Sequence, residues 1–334
     1  MNDDIRILLD DKEITRVQSL HLGKNTRAEA NDFNFTIENG GDRYTDIFYQ
    51  TSGELIQVEI IGTICFRGFV DTADFPYIPQ EMITVSGRDY TGLLIDQIVS
   101  SELAIYFSGK TASQIVGVIA DKYGFKKDLE ATANTYLEDK LYAGGMPAWD
   151  VIRSLAEKEG FDAYVTKDKV VVFKKREISS NIKRVYSPDP KLGIVPSQLE
   201  ITQDKTLTLA LKVQVIGYDP TQKYRISYIA ASNKCNRENY KIITVWDETL
   251  KTKKEVAARA EALLRQYSKE LTTGSLIIPV DPDLEPGDGI EIKGIKLAGK
   301  FYVTDVDIDY EVQGFLTTVK FASKVLTEAK TVEA

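Results

Sequence analysis

The chain has 334 residues but only one histidine and two cysteines. It also lacks any uninterrupted apolar run of the roughly 18–20 residues that a membrane helix needs. His21 alone cannot build a histidine-rich metal centre, and it is the one candidate base for a Ser-His-Asp triad. It stands between Leu20 and Leu22 in a stretch that reads as a strand, where an ordinary surface or packed histidine is expected. Cys65 and Cys235 are far apart and lack metal-type spacing, so two buried thiols are expected rather than a disulfide scaffold. There is no phosphate-cradling GxxxxGK[ST], no GxGxxG after a strand and no CxxC. Positive charge is in deficit, with 42 Lys and Arg against 50 Asp and Glu. That balance argues against a protein whose main task is to grip nucleic acid. The N-terminal MNDDIRILLDDK is acidic and has no long apolar core, so no secretory signal is expected. A soluble protein folded in the cytoplasm is the resulting expectation.

The length allows two or three domains with real cores. Residues 1–95 read as mostly β. Phe33, Phe35 and Ile37 alternate with polar neighbours before a Gly40-Gly41-Asp42 turn. LIQVEII and TICFRGFV are two strand-like pieces separated by Gly62, which suggests a tight connection or a bulge. The middle changes character. Thr111 and Gln114 form a capping box ahead of Ile115, Val116, Ile119 and Ala120, and that helix stops at Gly124. A second helix starts near Pro147, turns Trp149, Ile152, Leu155 and Ala156 inward, and stops at Gly160. Its ending, LAEKEGF, rhymes with IADKYGF of the first. AYVTKDKVVVF then reads as a hairpin turning near Lys167-Asp168.

Residues 179–196 are polar and contain three prolines, the pattern of a linker. Strand character resumes with Leu211, Val213 and Val215 and ends at Tyr218-Asp219-Pro220. Asn233 to Asn239 reads as a polar loop. Thr252 and Glu255 form another capping box, followed by the stripe Val256, Ala260, Leu263, Leu264 and Tyr267. Gly274 marks the exit from that helix, and Ser275–Val280 reads as a strand whose end, at Pro279, lies at a sheet edge. Ile290 and Ile292, then Tyr302–Tyr310 with a slip of phase near Thr304, then Phe315–Phe321, are three further strands.

Chemistry is sparse. Asp281, Asp283, Glu285 and Asp288 are the densest carboxylate group, but Gly287 falls seventh where a calcium loop wants its glycine sixth, and Pro282 and Pro286 intervene. A solvated turn is the reading. A carboxylate pair for glycoside hydrolysis remains open, because its spacing is spatial rather than sequential. The 17 tyrosines and 13 phenylalanines lie mostly at alternating strand positions, where packing is the default. Tyr106, Tyr136, Tyr142 and Trp149 flank the middle region and are the candidates for partner contacts. Lys174-Lys175-Arg176 reads as a solvated strand end.

An ordered series of segments resembles one family over nearly the whole chain. In the first part it is carried by Gly68, Val70 and Asp71, then Val85, Gly87, Arg88, Asp89, Gly92, Leu93, Leu94 and Asp96. The two glycine-Phe helix ends and hairpin follow, then the Tyr218-Asp219-Pro220 strand end, then the helix, Pro286-Gly287 turn and strands of 252–321. These are similar to the baseplate hub of contractile tails, the late control protein D family. The resemblance implies a mixed α+β, mainly β chain, with two tube-protein-like antiparallel β-barrel domains and a small α/β domain between them. The implied division is 1–98, 99–178, a linker at 179–196, and 197–330 with its helix at 253–269. Barrels in this family can be discontinuous, with strands from 180–240 completing the first.

The resemblance also implies a homotrimeric adaptor that joins a threefold central spike to a sixfold tail tube, in a contractile phage tail or a tail-like bacteriocin or injection system. Its partners would be the spike, the tube protein or tube initiator, and the baseplate wedges. DNA would only pass through an acidic lumen, and the protein would insert into no membrane. Assembly in the bacterial cytoplasm, into a virion or released particle, follows. No catalytic, cofactor or metal residues are implied, and none is assigned to an interface; edge strands and the helix at 253–269 are the natural inter-subunit surfaces. The alternative is a tail-tip cell-wall hydrolase of glycosidase type. The chain ends soon after the last matching strand, so no appended catalytic domain is expected.

Overall fold

The computed structural model describes residues 4–26, 30–40, 44–50, 53–76, 82–132, 135–136, 143–175, 181–203, 211–221, 223–231, 241–268, 272–311, 314–323 and 330–332. The fold is mainly β. The first part runs β1 (Ile5–Leu9), β2 (Lys12–Ile14), β3 (Val17–Asn25), β4 (Asp32–Glu38), α1 (Thr45–Gln50), β5 (Leu55–Ile60), β6 (Thr63–Asp74) and β7 (Met82–Asp89). The middle has α2 (Thr91–Ile95), α3 (Ser101–Tyr106), β8 (Lys110–Thr111), α4 (Ala112–Lys122), β9 (Lys126–Leu129), β10 (Thr135–Tyr136), α5 (Ala148–Glu159), β11 (Asp162–Val165) and β12 (Val170–Lys174). The last part has β13 (Ile182–Tyr186), β14 (Gln198–Gln203), β15 (Leu211–Asp219), β16 (Tyr224–Ala231), β17 (Lys241–Trp246) and α6 (Lys253–Ser268). It ends with β18 (Thr272–Ile278), β19 (Gly289–Ile292), β20 (Gly299–Glu311), β21 (Gly314–Ala322) and β22 (Lys330–Val332).

Strands from both ends of the chain share one 13-stranded sheet. Its path is β14-β18-β21-β20-β3-β4-β7-β6-β5-β1-β2, with β19 joined to β20 and β13 to β19. The junction is β3 against β20, antiparallel from Leu20–Tyr310 to Asn25–Asp305. One core lies under this sheet, drawn from residues as distant as Leu22 and Phe35 on one side and Ile308 and Phe321 on the other. The alternation that the sequence shows in Phe33, Phe35 and Ile37 is the alternation of this buried face.

Two halves of the sheet repeat one another. β3-β4-β7-β6 and β14-β18-β21-β20 have the same order, with the first strand beside the second, the second beside the fourth and the fourth beside the third. Their registers coincide. His21 faces Asn34 and Asn34 faces Ser86; likewise Glu200 faces Ser275 and Ser275 faces Lys320. β6 slips by one residue at Asp71 and β20 slips by one at Thr304, the matching position. The phase slip visible near Thr304 in the sequence is this bulge. β5 and β19 are matched as well, each pairing with its long strand before the bulge. The notch between β5 and β6 is both a two-residue hairpin turn, with Ile61 and Gly62 at positive φ, and a second bulge at Val58–Glu59.

In the middle, α4 and α5 pack on the three-stranded sheet β11-β12-β9 around Ile115, Ile119, Trp149, Ile152, Phe161 and Phe173. The rhyming helix ends close identically. Phe125 N–H donates to Ala120 O and Phe161 N–H to Ala156 O, both at 2.8 Å, across glycines at φ +71° and +66°. A further sheet, β17-β15-β16-β22, carries α6 on one face, where Val256, Ala260, Leu263 and Leu264 meet Val213, Val215 and Ile226.

Two local readings change. Gly274 does not end the helix: α6 stops at Ser268 and Gly274 lies inside β18, where it makes room for the ring of Phe321. Within the stretch read as a linker, Ile182–Tyr186 is strand β13, held parallel to β19 with Tyr186 fully buried. The turn signals of Pro188 and Pro190 begin only after it. The loop read at 233–239, with Cys235, lies outside the described residues.

Candidate functional site

The residues of the glycine- and aspartate-rich segments converge at the end of β7. A Cβ at Gly68 would meet Arg88 O at 2.2 Å, and one at Gly87 would meet Phe69 O at 1.9 Å, so β6 and β7 approach as only glycine allows. Arg88 leaves the opposite face and forks between two carboxylates. It reaches Asp71 at 2.6 and 2.9 Å and Asp96 at 3.0 and 3.2 Å. Bonding to Asp71 and Asp96 raises the already high pKa of the guanidinium. Asp71 is the bulge residue and Asp96 caps α2, so one cation ties the kink in β6 to the entry into the middle region.

Asp89, the next residue, points inward. It is 4% exposed and accepts from Asn31 Nδ2 at 2.7 Å and from Thr91 N–H at 2.9 Å. Burial pushes its carboxyl up to about 7, against the pull of those donors. Asn31 Oδ1 in turn accepts from Asn25 N–H at 2.8 Å. Asp89 thus joins the β3–β4 connection to the start of α2.

The acidic turn after β18 is not a solvated turn: cations from remote strands hold it. Arg184 on β13 grips Asp281 at 2.6 and 2.9 Å, and Asp281 is 8% exposed. Lys183 bonds Asp288 at 2.8 Å and the carbonyl of Asp283. Lys24 on β3, 2% exposed, reaches Glu285 at 3.0 Å, and Lys167 from the β11–β12 turn approaches the same carboxylate at 3.5 Å. Lys24 follows Leu20 and Leu22 on the inward face. That period-two placement was the signal for it, masked by its charge.

These groups border a cavity of about 480 Å³ where the sheet, the β11–β12 hairpin and the 285–288 turn meet; Cys65, Arg67 and Tyr164 also line it. Its cations are committed to protein acceptors. Lys24 and Lys167 hold Glu285, Lys167 also donates to Ile64 O at 2.6 Å, and Arg67 holds Asp168 at 2.9 Å. Burial pushes the Cys65 thiol up, away from the reactive thiolate. The arrangement fastens three parts of the chain; it does not present a nucleophile beside a base. Among the described residues, no group of three or more His, Cys, Asp or Glu is placed to hold a metal ion.

The remaining sequence candidates fall elsewhere. His21 lies on the outer face of β3, with Nδ1 2.7 Å from Asp309 on β20 and Nε2 3.9 Å from Asp32 on β4. It thus sits across the junction of the two halves. Trp149 is 2% exposed in the middle core and is not a partner contact, because α5 turns it inward with Ile152. Tyr106 is exposed, with Lys110 Nζ 4.0 Å from its ring centre. Tyr142, Arg176 and the side chain of Tyr136 lie outside the described residues. Lys174 and Lys175 pair with Asp128 and Glu130. Among the described residues, no helix is long and apolar enough to cross a membrane.

No family model and no curated protein matches the sequence. Solved structures match its shape along nearly its whole length. A tail protein from Neisseria meningitidis MC58 is similar at a TM-score of 0.72 and 16% identity, covering 96% of each chain. The 43 kDa tail protein of prophage MuSo2 from Shewanella oneidensis is similar at 0.71 and 14% identity, covering 96% of this chain and 98% of that one. The E. coli c3393 protein, a component of the type VI secretion system with structural similarity to the T4 tail proteins gp27 and gp5, is similar at 0.59 and 10% identity. That match covers 98% of this chain and 79% of the other. The fold of this chain is therefore the one that these tail and secretion-system proteins share.

Proposed function

We propose that this protein is a structural hub: a homotrimeric adaptor between the threefold central spike and the sixfold tail tube of a contractile tail or a related injection system. The observation that carries the reading is the repeat within one chain. β3–β7 and β14 with β18–β21 are matched in strand order, register and bulge position. Three chains with two such units each present six similar units in a ring, while the rest of each chain keeps threefold symmetry. The two units are the tube-like domains, at 1–98 and 197–330, with the α/β region of 99–178 set between them. Strand β13, within 179–196, pairs with β19 and so extends the second unit. Spike, tube and wedge proteins are the partners, DNA passes only through the lumen, and assembly takes place in the bacterial cytoplasm.

The part is mechanical rather than enzymatic, in keeping with the tail proteins whose shape it shares. Solution mass and a low-resolution image of the pure protein, alone and with its spike, test the reading. A ring with three copies is the expected result; a chain that stays monomeric in both conditions overturns it. Incubation with peptidoglycan tests the hydrolase alternative, where turnover abolished by a single carboxylate substitution would displace the structural reading.

A further inference from the structure

The outer layer of the second unit ends on an uncovered stretch of chain. In the first unit that layer runs β6-β5-β1-β2, and its last apolar residue, Ile14, is 3% exposed. In the second it runs β20-β19-β13, and the chain then returns so that Ile194 lies parallel to Tyr186. Ile194 N–H donates to Val185 O at 2.8 Å, and Ser187 N–H donates to Ile194 O at 2.9 Å. Residues 193–195 thus take one more strand position, and there Ile194 is 43% exposed. Because Ile194 turns its backbone groups toward β13, Gly193 and Val195 turn theirs away. Among the described residues, neither of those two N–H groups has a hydrogen-bond partner. Pro190 and Pro196 bracket the edge, which keeps it short but leaves it open.

The side chains around this edge share one chemistry. Leu192, Val195 and Leu297 are all exposed apolar groups. The β19–β20 turn, which carries Leu297, packs beside the edge: a Cβ on Gly294 would lie 3.6 Å from Leu192 Cδ1 and 2.8 Å from Ser187 Oγ. Lys191, Lys296 and Lys300 are exposed as well, and among the described residues none of their ammonium groups has an ion-pair partner. The nearby carboxylates are already engaged. Asp189 accepts from Lys191 N–H at 2.9 Å within its own loop, and Glu291 pairs with Lys293 at 3.3 Å. In a chain of net charge −8, this is a local positive rim around apolar side chains.

We propose that this edge binds an extended, acidic segment of another protein, which adds to residues 193–195 as an outer strand. Its backbone satisfies Gly193 and Val195, and its apolar side chains cover Leu192, Ile194 and Val195. Its carboxylates meet Lys191, Lys296 and Lys300, the charge that the rim lacks. A lipid surface is the poorer fit, because it offers the two outward N–H groups no strand to pair with. The surface belongs to a single chain and needs no ring.

The probe is a fluorescein-labelled peptide in which glutamates alternate with valines. Its anisotropy should report binding to the native protein, weakened about tenfold by Lys296→Glu with Lys300→Glu and by Ile194→Ser. A peptide with lysine in place of glutamate should not bind. The acidic peptide should also slow amide exchange at Gly193 and Val195 while leaving β17 unchanged. The substituted positions are exposed, and circular dichroism of each variant checks that it folds. Native protein that ignores the peptide overturns the proposal, as does binding that the variants or the exchange at 193–195 do not register. Phosphatidylglycerol vesicles that bind the native protein in the peptide's stead, and bind the variants less, assign the rim to a membrane and overturn it too. A native protein that is monomeric alone and with its spike removes the ring reading and leaves this surface standing.

Discussion

Phe33 fills the space that a side chain at Gly87 would occupy. The two residues face each other across β4 and β7, and a Cβ on Gly87 would lie 2.7 Å from the Phe33 ring. In the second unit the pair is exchanged. Gly274 stands where Phe33 does and Phe321 where Gly87 does, with a Cβ on Gly274 falling 2.4 Å from the Phe321 ring. One aromatic ring over one glycine is retained in each unit, with the strands that supply them reversed.

Gly87→Ala should therefore destabilise the fold by about 1–3 kcal/mol or more, since backbone at Phe69 O leaves little room to relax. Gly274→Ala should cost a similar amount and loosen β14, because the added methyl also meets Glu200 O at 2.4 Å. Denaturant unfolding measures both, and unchanged midpoints would show that the strands can part without penalty.

Arg88→Lys keeps the charge but loses the fork that serves Asp71 and Asp96 together. Since the group is about one-third exposed, solvent screening limits the loss to about 1–2 kcal/mol. The expected readout is faster amide exchange across the Asp71 bulge and α2, with the α6 sheet unaffected. Uniform exchange over the whole chain would argue against a local clamp.

Asp89 gives a pH dependence with a definite sign. Its folded carboxyl, at about 7, lies above the ordinary value of 3.8. The folded state therefore holds a proton that the unfolded state releases, and this contribution is complete below pH 4 and lost as pH rises towards 7. Relative to Asp89→Asn, the native protein should lose stability over that window with a slope of at most about 1.4 kcal/mol per pH unit. A difference that grows with pH would contradict the assignment.

Lys24 and Glu285 form an asymmetric pair, the ammonium buried and the carboxylate one-third exposed. Glu285→Ala strands an ammonium that is 2% exposed and should cost about 2–3 kcal/mol, tempered by the partial exposure of Glu285. Lys24→Met should cost less, and the double variant less than the sum of the two. A double-mutant cycle in urea provides the coupling, and additive costs would mean that the pair contributes nothing as a pair.

Local features were legible in the sequence where side chains and backbone report on their immediate neighbours. The capping boxes are present as read: Glu255 N–H donates to Thr252 Oγ1 at 3.2 Å, and Thr111 N–H to Gln114 Oε1 at 2.9 Å. The slip near Thr304 is a real bulge. The pairing of β3 with β20 was not legible, because an edge is recognised by backbone groups that every residue carries. For the same reason the acidic turn looked solvated. Its cations, Lys24, Lys183 and Arg184, are remote in the chain, and no local pattern connects them to Asp281 or Glu285. Arg88 and Asp89 stood out as a motif, but only the fold shows that they point to opposite faces and do different work.

The β3–β20 junction also has a mechanical consequence. Six consecutive residue pairs, from Asp305 to Tyr310, bridge the two units. Antiparallel hydrogen bonds lie across the strand direction. A pull along the strands loads all of them together, and the seam resists until it gives way at once. A pull across the strands opens them one at a time, like a zip. A chain held under load is strongest when these strands run along the load, and that orientation decides how hard it can be pulled before its two halves part.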